Sequence, residues 1–281
     1  MTFKYLVTNL QKKITSHLDS PLSIIGGFNF MDLARIKKNL KTRLFGQVVH
    51  FESTVDSTNE WAFRADGKRG EIFLADFQTG GKGRLKRPWE SPAGKNILLS
   101  LVDTPPVPPG KSFQLSLVAG VAFLEGLSNA VPQISFALKW PNDILVDGKK
   151  LGGILAETRG ETTVIGVGLN VNITSTDFSS TVAPIATSLK IATDKDWGRE
   201  EIIAVCLNSY ESWREKFQKE GIKAVIAAWN GHNALVGKKV TVQDGQSSFT
   251  GTVEGLDAEG FLVVNANGEK KTVISGDVMS S

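Results

Sequence analysis

Lys139-Trp140-Pro141-Asn142-Asp143-Ile144-Leu145-Val146-Asp147-Gly148-Lys149-Lys150-Leu151-Gly152-Gly153-Ile154-Leu155 sets two apolar runs on either side of an Asp-Gly pair. Asp-Gly supplies the two positive-φ residues of a tight turn, so the runs read as paired strands of a hairpin. Lys139 and Lys150 fall on opposite arms, where pairing would bring them near each other, and the polar pair Asn142-Asp143 sits among apolar neighbours. Polar groups on an apolar hairpin need partners, and a ligand is one source of them. Gly152-Gly153 inside a strand marks either a close backbone approach or a bulge, and spacing weighs the two equally.

Outward from this hairpin, from about Gly46 to Gly231, apolar runs alternate with amphipathic stretches, which indicates one α/β-type domain rather than several small ones. Strands are expected at 47–51, 72–75, 97–101, 135–139, 150–157 and 164–171, and helices at 59–65, 113–129, 199–220 and 222–229. In the helix over 199–220, Ile202, Ile203, Cys206, Tyr210, Trp213 and Phe217 recur at helical spacing and are assigned to the core. After Asn233 the texture changes to short alternating runs at 239–243, 249–254, 261–264 and 271–275, separated by Gly, Asn and Asp, which reads as a small β-barrel. The segment 102–110, with four prolines, is expected to be a stiff surface loop. Residues 1 to 30 form a basic segment ending in Gly26-Gly27, read as an appended helix or tail. Met31, a second candidate start, opens another helical stretch over 32–44. The chain thus divides into a basic helical extension (1–44), a main domain (45–232) and a C-terminal domain (233–281).

With 281 residues and 41% hydrophobic content, the chain can bury a full core. Its net charge of +3 divides unevenly: residues 1–50 carry +6 and the remainder −3. The body therefore lacks the broad basic footprint of a nucleic-acid-binding domain. One cysteine, Cys206, excludes a disulfide framework and a cysteine-built zinc site, and fits a reducing compartment, with the cytoplasm as the default. No run approaches the roughly 18 to 20 apolar residues that span a bilayer, and no secretory signal opens the chain. His17, His50 and His232 are scattered and complete neither a metal site nor a triad.

Three further stretches draw attention. Gly80-Gly81-Lys82-Gly83-Arg84-Leu85-Lys86-Arg87-Pro88-Trp89 sets four cations within six residues among glycines, directly after an expected strand. Glycine lets backbone approach a ligand, and Arg and Lys suit phosphate, so a phosphate-bearing ligand stands against a solvated loop or a nucleic-acid contact. Ser57-Thr58-Asn59 before Glu60 is a helix N-cap signature. Gly166-Val167-Gly168-Leu169-Asn170 ends an apolar strand without the third glycine of a dinucleotide fingerprint.

Taken in order, Asp56-Ser57-Thr58-Asn59, Gln78 with the basic glycine loop, Lys139 to Asp143, Lys150 to Leu155, Gly166-x-Gly168-x-Asn170 and Thr187-Ser188-Leu189 resemble the biotin protein ligases over about residues 45–281. The resemblance implies an α+β fold: a central mixed β-sheet flanked by helices, followed by a small SH3-like β-barrel. It implies two half-reactions: biotin, ATP and Mg²⁺ give biotinyl-5′-AMP and pyrophosphate, then biotin passes to one lysine of a biotin carboxyl carrier domain. The implied catalytic residues are Arg84, Lys150 and Asp143. Ser57, Thr58, Gln78, Gly81, Gly166 and Gly168 would hold biotin, with Lys150 bridging its carboxylate and the α-phosphate. Trp89 and Asn142 would serve the adenine, and Asp143 would orient or deprotonate the carrier lysine. Asn59, Lys82, Arg87, Gly153 and Asn170 complete the implied binding set, while metal ligands are not readable.

Two departures stand out. Lys82 replaces an arginine and Lys86 a glycine of the family's usual loop, which removes a guanidinium fork and cheap access to positive φ. The resemblance admits a homodimer and involves no membrane. Because residues 1–30 are short for a winged helix, DNA reading is not expected. The competing readings are a lipoate or octanoate ligase or transferase of the same superfamily and, from another class, a nucleic-acid-binding module.

Overall fold

The computed structural model describes residues 31–104, 110–244 and 247–280. The tail reading of residues 1–30 and the proline-rich centre of the 102–110 loop lie outside them. In chain order the elements are α1 (Leu33–Asn39), β1 (Val49–Val55), α2 (Thr58–Arg64), β2 (Ile72–Gln78), β3 (Ile97–Asp103), α3 (Gln114–Ala130), β4 (Phe136–Lys139), β5 (Asp143–Val146), β6 (Lys149–Arg159), β7 (Thr162–Leu169), α4 (Leu189–Thr193), α5 (Arg199–Glu220), α6 (Lys223–Gly231), β8 (Lys239–Asp244), β9 (Ser247–Leu256), β10 (Leu262–Ala266), β11 (Glu269–Val273) and β12 (Asp277–Ser280).

Seven strands form one sheet in the order β1-β2-β3-β7-β6-β5-β4. β1 and β2 are parallel, with α2 as their crossover, and every other neighbouring pair is antiparallel, so the sheet is mixed. The expected Asp-Gly turn joins β5 to β6, with φ of 49° at Asp147 and 76° at Gly148. Lys139, however, is not on an arm of that hairpin. It ends β4, one strand further out, opposite Asp143 on β5. Trp140-Pro141, a cis peptide, breaks the apolar run there, so what reads as one arm is two strands. Both readings of Gly152-Gly153 hold: the β5–β6 register slips between Ile144 and Leu145, and the glycines beyond the slip lie against other groups.

One face of the sheet is the core, where Leu99, Leu101, Ile154, Ile165 and Val167 meet α3 and α5. α3 is apolar nearly all round and accordingly buried. Gly126 permits its close crossing with α5, since a Cβ there would stand 2.8 Å from Cys206 Cα. Met31, Ile36 and Phe45 also belong to this core, and α1 packs on α5. Val102 and Asp103 end β3 rather than opening a loop. Asp103, fully buried, accepts from Arg214 Nε at 2.6 Å, Arg69 Nε at 3.0 Å and the Tyr210 hydroxyl at 3.1 Å. Burial first, and Asp103 second, pushes the Tyr210 phenol well above its ordinary range.

The C-terminal strands form the expected SH3-like unit as an antiparallel sheet in the order β11-β10-β9-β8-β12, and among the described residues no ladder joins β11 to β12 to close it. β12 is a strand that alternation did not indicate, because it is short and follows the Ser275-Gly276 turn. Trp140 Nε1 donates to Gly260 O at 3.1 Å, joining this unit to the end of β4.

Asp103→Ala leaves Arg214, whose side chain is 2% exposed, without its carboxylate. A loss of about 3–5 kcal/mol is expected in urea unfolding.

Candidate functional site

On the sheet face opposite α3, pairing places Leu98 and Ser100 of β3 beside Gly168 and Gly166 of β7, which in turn face Gly153 and Leu155 of β6. Three of these six residues lack a side chain, and other groups lie where their Cβ atoms would be. A Cβ would stand 2.5 Å from the Trp89 ring at Gly168, 2.4 Å from Asn59 Oδ1 at Gly166 and 3.2 Å from Lys150 Nζ at Gly153. This bare strip is the floor of a cavity of about 500 Å³. The glycine runs thus act as a surface rather than as a phosphate loop.

At one end of the floor stand Ser57, Thr58 and Asn59, all buried, at the start of α2. Thr58 N and Oγ1 both lie within hydrogen-bond reach of Gln78 Oε1, at 2.7 and 3.0 Å. Ser100 Oγ is 2.7 Å from Thr58 Oγ1 and 2.6 Å from Asn59 Oδ1. Asn59 Nδ2 donates to Glu157 Oε2 at 2.8 Å. Ser57 occupies the N-cap position, but its side chain makes no capping bond and lines the cavity instead. Gly81 leaves room for Gln78, whose Nε2 would be 2.8 Å from a Cβ there.

At the other end the charges gather. Lys150 Nζ is 2.7 Å from Asp143 Oδ1, an ion pair without hydrogen-bond alignment, and 5.6 Å from the centre of the Trp89 ring. Trp89 Nε1 is buried without a partner. Lys82 Nζ pairs with Glu60 at 2.8 Å and Glu157 at 3.2 Å. The bond from Lys82 holds the Glu60 carboxyl below its ordinary range, with Arg159 adding to it, and Glu60 raises Lys82 in return. Arg87 forms a two-pronged pair with Asp277. Arg84 is more than half buried, and that burial pulls its pKa down; its Nη2 donates to Gly276 O at 3.4 Å. Leu85 and Lys86 adopt φ of 54° and 58°, so the loop does use the left-handed region at 86 without a glycine there, at a cost of about 1 kcal/mol or more per residue.

The residues expected from sequence therefore converge, in differing capacities. Asn142 Nδ2 donates to Ile154 O at 2.8 Å, which ties β5 to β6 beneath the cavity. Asn170 is committed at both ends, to Asn96 and to Thr187 O, and so holds the strand end in place. Ser188, of the Thr187-Ser188-Leu189 landmark, caps α4. Sequence reading missed Ser100 and Glu157, which sit inside ordinary strand patterns. It also missed Gly276 to Met279, which brings β12 to the rim. For the last, only the opposite charges of Arg87 and Asp277 were available as a signal.

Residues 48–173 match the biotin/lipoate A/B protein ligase family, and residues 235–279 the biotin protein ligase C terminal domain. The bifunctional ligase/repressor BirA of Bacillus subtilis is 32% identical over 253 residues, covering 87% of this chain and 78% of that protein. The biotin–acetyl-CoA-carboxylase ligase of Mycobacterium tuberculosis is 34% identical over 218 residues, covering 75% and 79%. The Aquifex aeolicus biotin protein ligase, solved in complex with biotin and ATP, superposes with a TM-score of 0.75 at 28% identity, covering 84% of this chain and 99% of that one.

The start of α2 also carries a pH signature. Arg64 is the largest influence on Asp56 and, with the Ser57 N–H, lowers its pKa from 3.8 to about 2. The lowered value means that the pair's contribution to stability is complete above pH 3.8 and disappears as pH falls through 2. An NMR titration should give Asp56 a midpoint near 2, returning toward 3.8 in Arg64→Ala.

Proposed function

The chain belongs to the biotin protein ligase family, and from that premise we propose how its own residues activate biotin with ATP and pass it to a carrier lysine. The observation that carries the reading is one continuous slot: hydrogen-bonding groups of Thr58 and Gln78 at one end, and Lys150, Arg84 and the Trp89 face at the other. Such a slot suits a ligand with a polar head and an acidic tail beside a nucleotide.

In the first half-reaction a biotin carboxylate oxygen bonds to the α-phosphorus of ATP, and pyrophosphate leaves. Two anions must meet, so fixed positive charge is the main requirement. Lys150 sits at the bare floor, where it can reach both the carboxylate and the α-phosphate, and Arg84, on the glycine-framed loop, adds a second charge from above. Trp89 packs against the nucleotide base from the Gly168 side, with Asn142 next to it. In the second half-reaction a carrier-lysine amine attacks the acyl carbon, and AMP leaves. The amine must be neutral to attack, and Asp143 is the carboxylate placed to take its proton. Its pairing with Lys150 links the two steps: when Lys150 turns to the phosphate, Asp143 is released to act as base. Ser57 and the backbones at Gly81, Gly166 and Gly168 complete the biotin slot. Lys82, Asn59, Asn170 and Gly153 hold its walls, and Arg87 anchors the loop on Asp277.

Mg²⁺ would be held chiefly by the nucleotide's own phosphates, as it usually is in sites that bind ATP. No step above runs through it. The acceptor is a biotin carboxyl carrier domain, and a homodimer is compatible with this reading. The fully buried free Cys206 fits the reducing cytoplasm, and no helix among the described residues is long and apolar enough to cross a membrane. The expectation of a ligase that does not read DNA concerns residues 1–30, which lie outside the described residues.

Incubating the protein with Mg-ATP, a carrier domain and labelled biotin or octanoate should give acid-stable biotin label and none from octanoate. Failure of biotin to provoke either pyrophosphate release or carrier labelling would contradict the proposal; octanoate labelling would establish the lipoate-type reading. Arg84→Ala should still form the adenylate but release it, so that bystander lysines become labelled. Tight retention by that variant would remove Arg84 from this role.

A further inference from the structure

At the end of the slot, four oxygens form a line: Asn59 Oδ1, Ser100 Oγ, Thr58 Oγ1 and Gln78 Oε1, with successive separations of 2.6, 2.7 and 3.0 Å. The two terminal oxygens are amide carbonyls and carry no proton, whereas each hydroxyl carries one. Three contacts are thus served by two protons. Neither amide can be reversed to supply a third. Asn59 Nδ2 faces Glu157 Oε2 at 2.8 Å and Leu155 O at 3.3 Å, both acceptors only. Gln78 Oε1 receives the Thr58 N–H at 2.7 Å, which requires an oxygen at that position. Ser100 is fully buried and Thr58 and Asn59 nearly so, which leaves little access for water to repair the deficit.

We propose that Glu157 is a positioning residue that sets the donor–acceptor polarity of this end of the slot, and so selects ligands that bring N–H groups. Its carboxylate fixes Asn59 with the amide oxygen toward Ser100, keeping the line one proton short. A ligand with N–H donors at its head supplies what is missing, and the free Nε2 side of Gln78 can then donate to a carbonyl on the same head. A cyclic urea has both groups, whereas an alkyl chain or dithiolane has neither. The inference rests on the reading of this end as the site of the biotin head, and extends it to a residue two positions removed from the ligand. Gly166 is part of the arrangement, since a Cβ there would overlap Asn59 Oδ1 at 2.4 Å.

Glu157→Gln tests the idea because a glutamine amide can donate to a reversed Asn59, leaving only the longer 3.3 Å contact with Leu155 O to oppose the reversal. Asn59 Nδ2 would then give Ser100 the missing proton, and the demand for a ligand donor would vanish. The KM for biotin should rise roughly tenfold or more, as for a buried polar group left without its partner, while KM for ATP and kcat at saturating biotin stay near wild type. Glu157→Asp, which keeps the carboxylate, should recover part of the loss. Glu157 also touches Lys82, so Glu60→Gln serves as the control: it removes a Lys82 contact and leaves Asn59 alone, and biotin affinity should hold within about twofold of wild type. An unchanged KM for biotin in Glu157→Gln, or an equal rise in Glu60→Gln, would overturn the proposal. If wild-type protein bound no biotin in a calorimetric titration, the biotin reading itself would fall.

Discussion

Side chains are missing from the middle of the sheet, where β3, β7 and β6 run side by side, and most of the site follows from that. Gly153 and Gly168 face each other across the β6–β7 ladder, and Gly166 sits opposite Leu155. Glycine in a strand interior costs stability relative to a residue with a side chain to pack. Here the vacated volume is taken by Trp89, Asn59 and Lys150, drawn from a loop, a helix start and the beginning of β6 itself. The opposite face of the same strands carries Ile154, Ile165 and Val167 into the main core, so the floor of the cavity is held rigid from beneath.

Charge is arranged on this floor in pairs. Lys150 faces Asp143, Lys82 lies between Glu60 and Glu157, and Arg87 is held by Asp277. Each pair reduces the mutual repulsion that a cluster of cations would otherwise carry, and each offers a different coupling. Lys150–Asp143 connects phosphate binding to base release, and Lys82 connects the loop to the polar end of the slot. Arg87–Asp277 connects the loop to the C-terminal sheet. Lys82 and Arg87 are held by carboxylates, whereas Arg84, which lines the cavity, has a backbone carbonyl for a partner, and this leaves its charge available to an incoming phosphate.

Much of this was legible in the residues. The helix over 199–220 and its buried stripe are visible in periodicity because an amphipathic helix on a sheet must hide one face. The Asp147-Gly148 turn is visible because its backbone requires positive φ. The Trp140-Pro141 break was hidden: the polar pair Asn142-Asp143 read as part of one hairpin arm, whereas the chain reverses at the proline and separates β4 from β5. Lys86 was readable as an anomaly, and the structure gives it the left-handed conformation that its usual glycine would take more cheaply. Glu157, Ser100 and Asp277 were not readable as site residues. Their importance lies in which distant strand they face, and that depends on register and tertiary contact rather than on local pattern.

The claim that the bare floor makes the site can be tested directly with Gly168→Ala, whose added methyl would stand 2.5 Å from the Trp89 ring. The measurement is the ATP dependence of biotin-stimulated pyrophosphate release, with circular dichroism confirming a folded chain. Displacement of Trp89 from the floor predicts a KM for ATP raised at least roughly tenfold in a protein that remains folded. A folded variant with wild-type KM for ATP would show that Trp89 does not need the glycine, and would contradict the account.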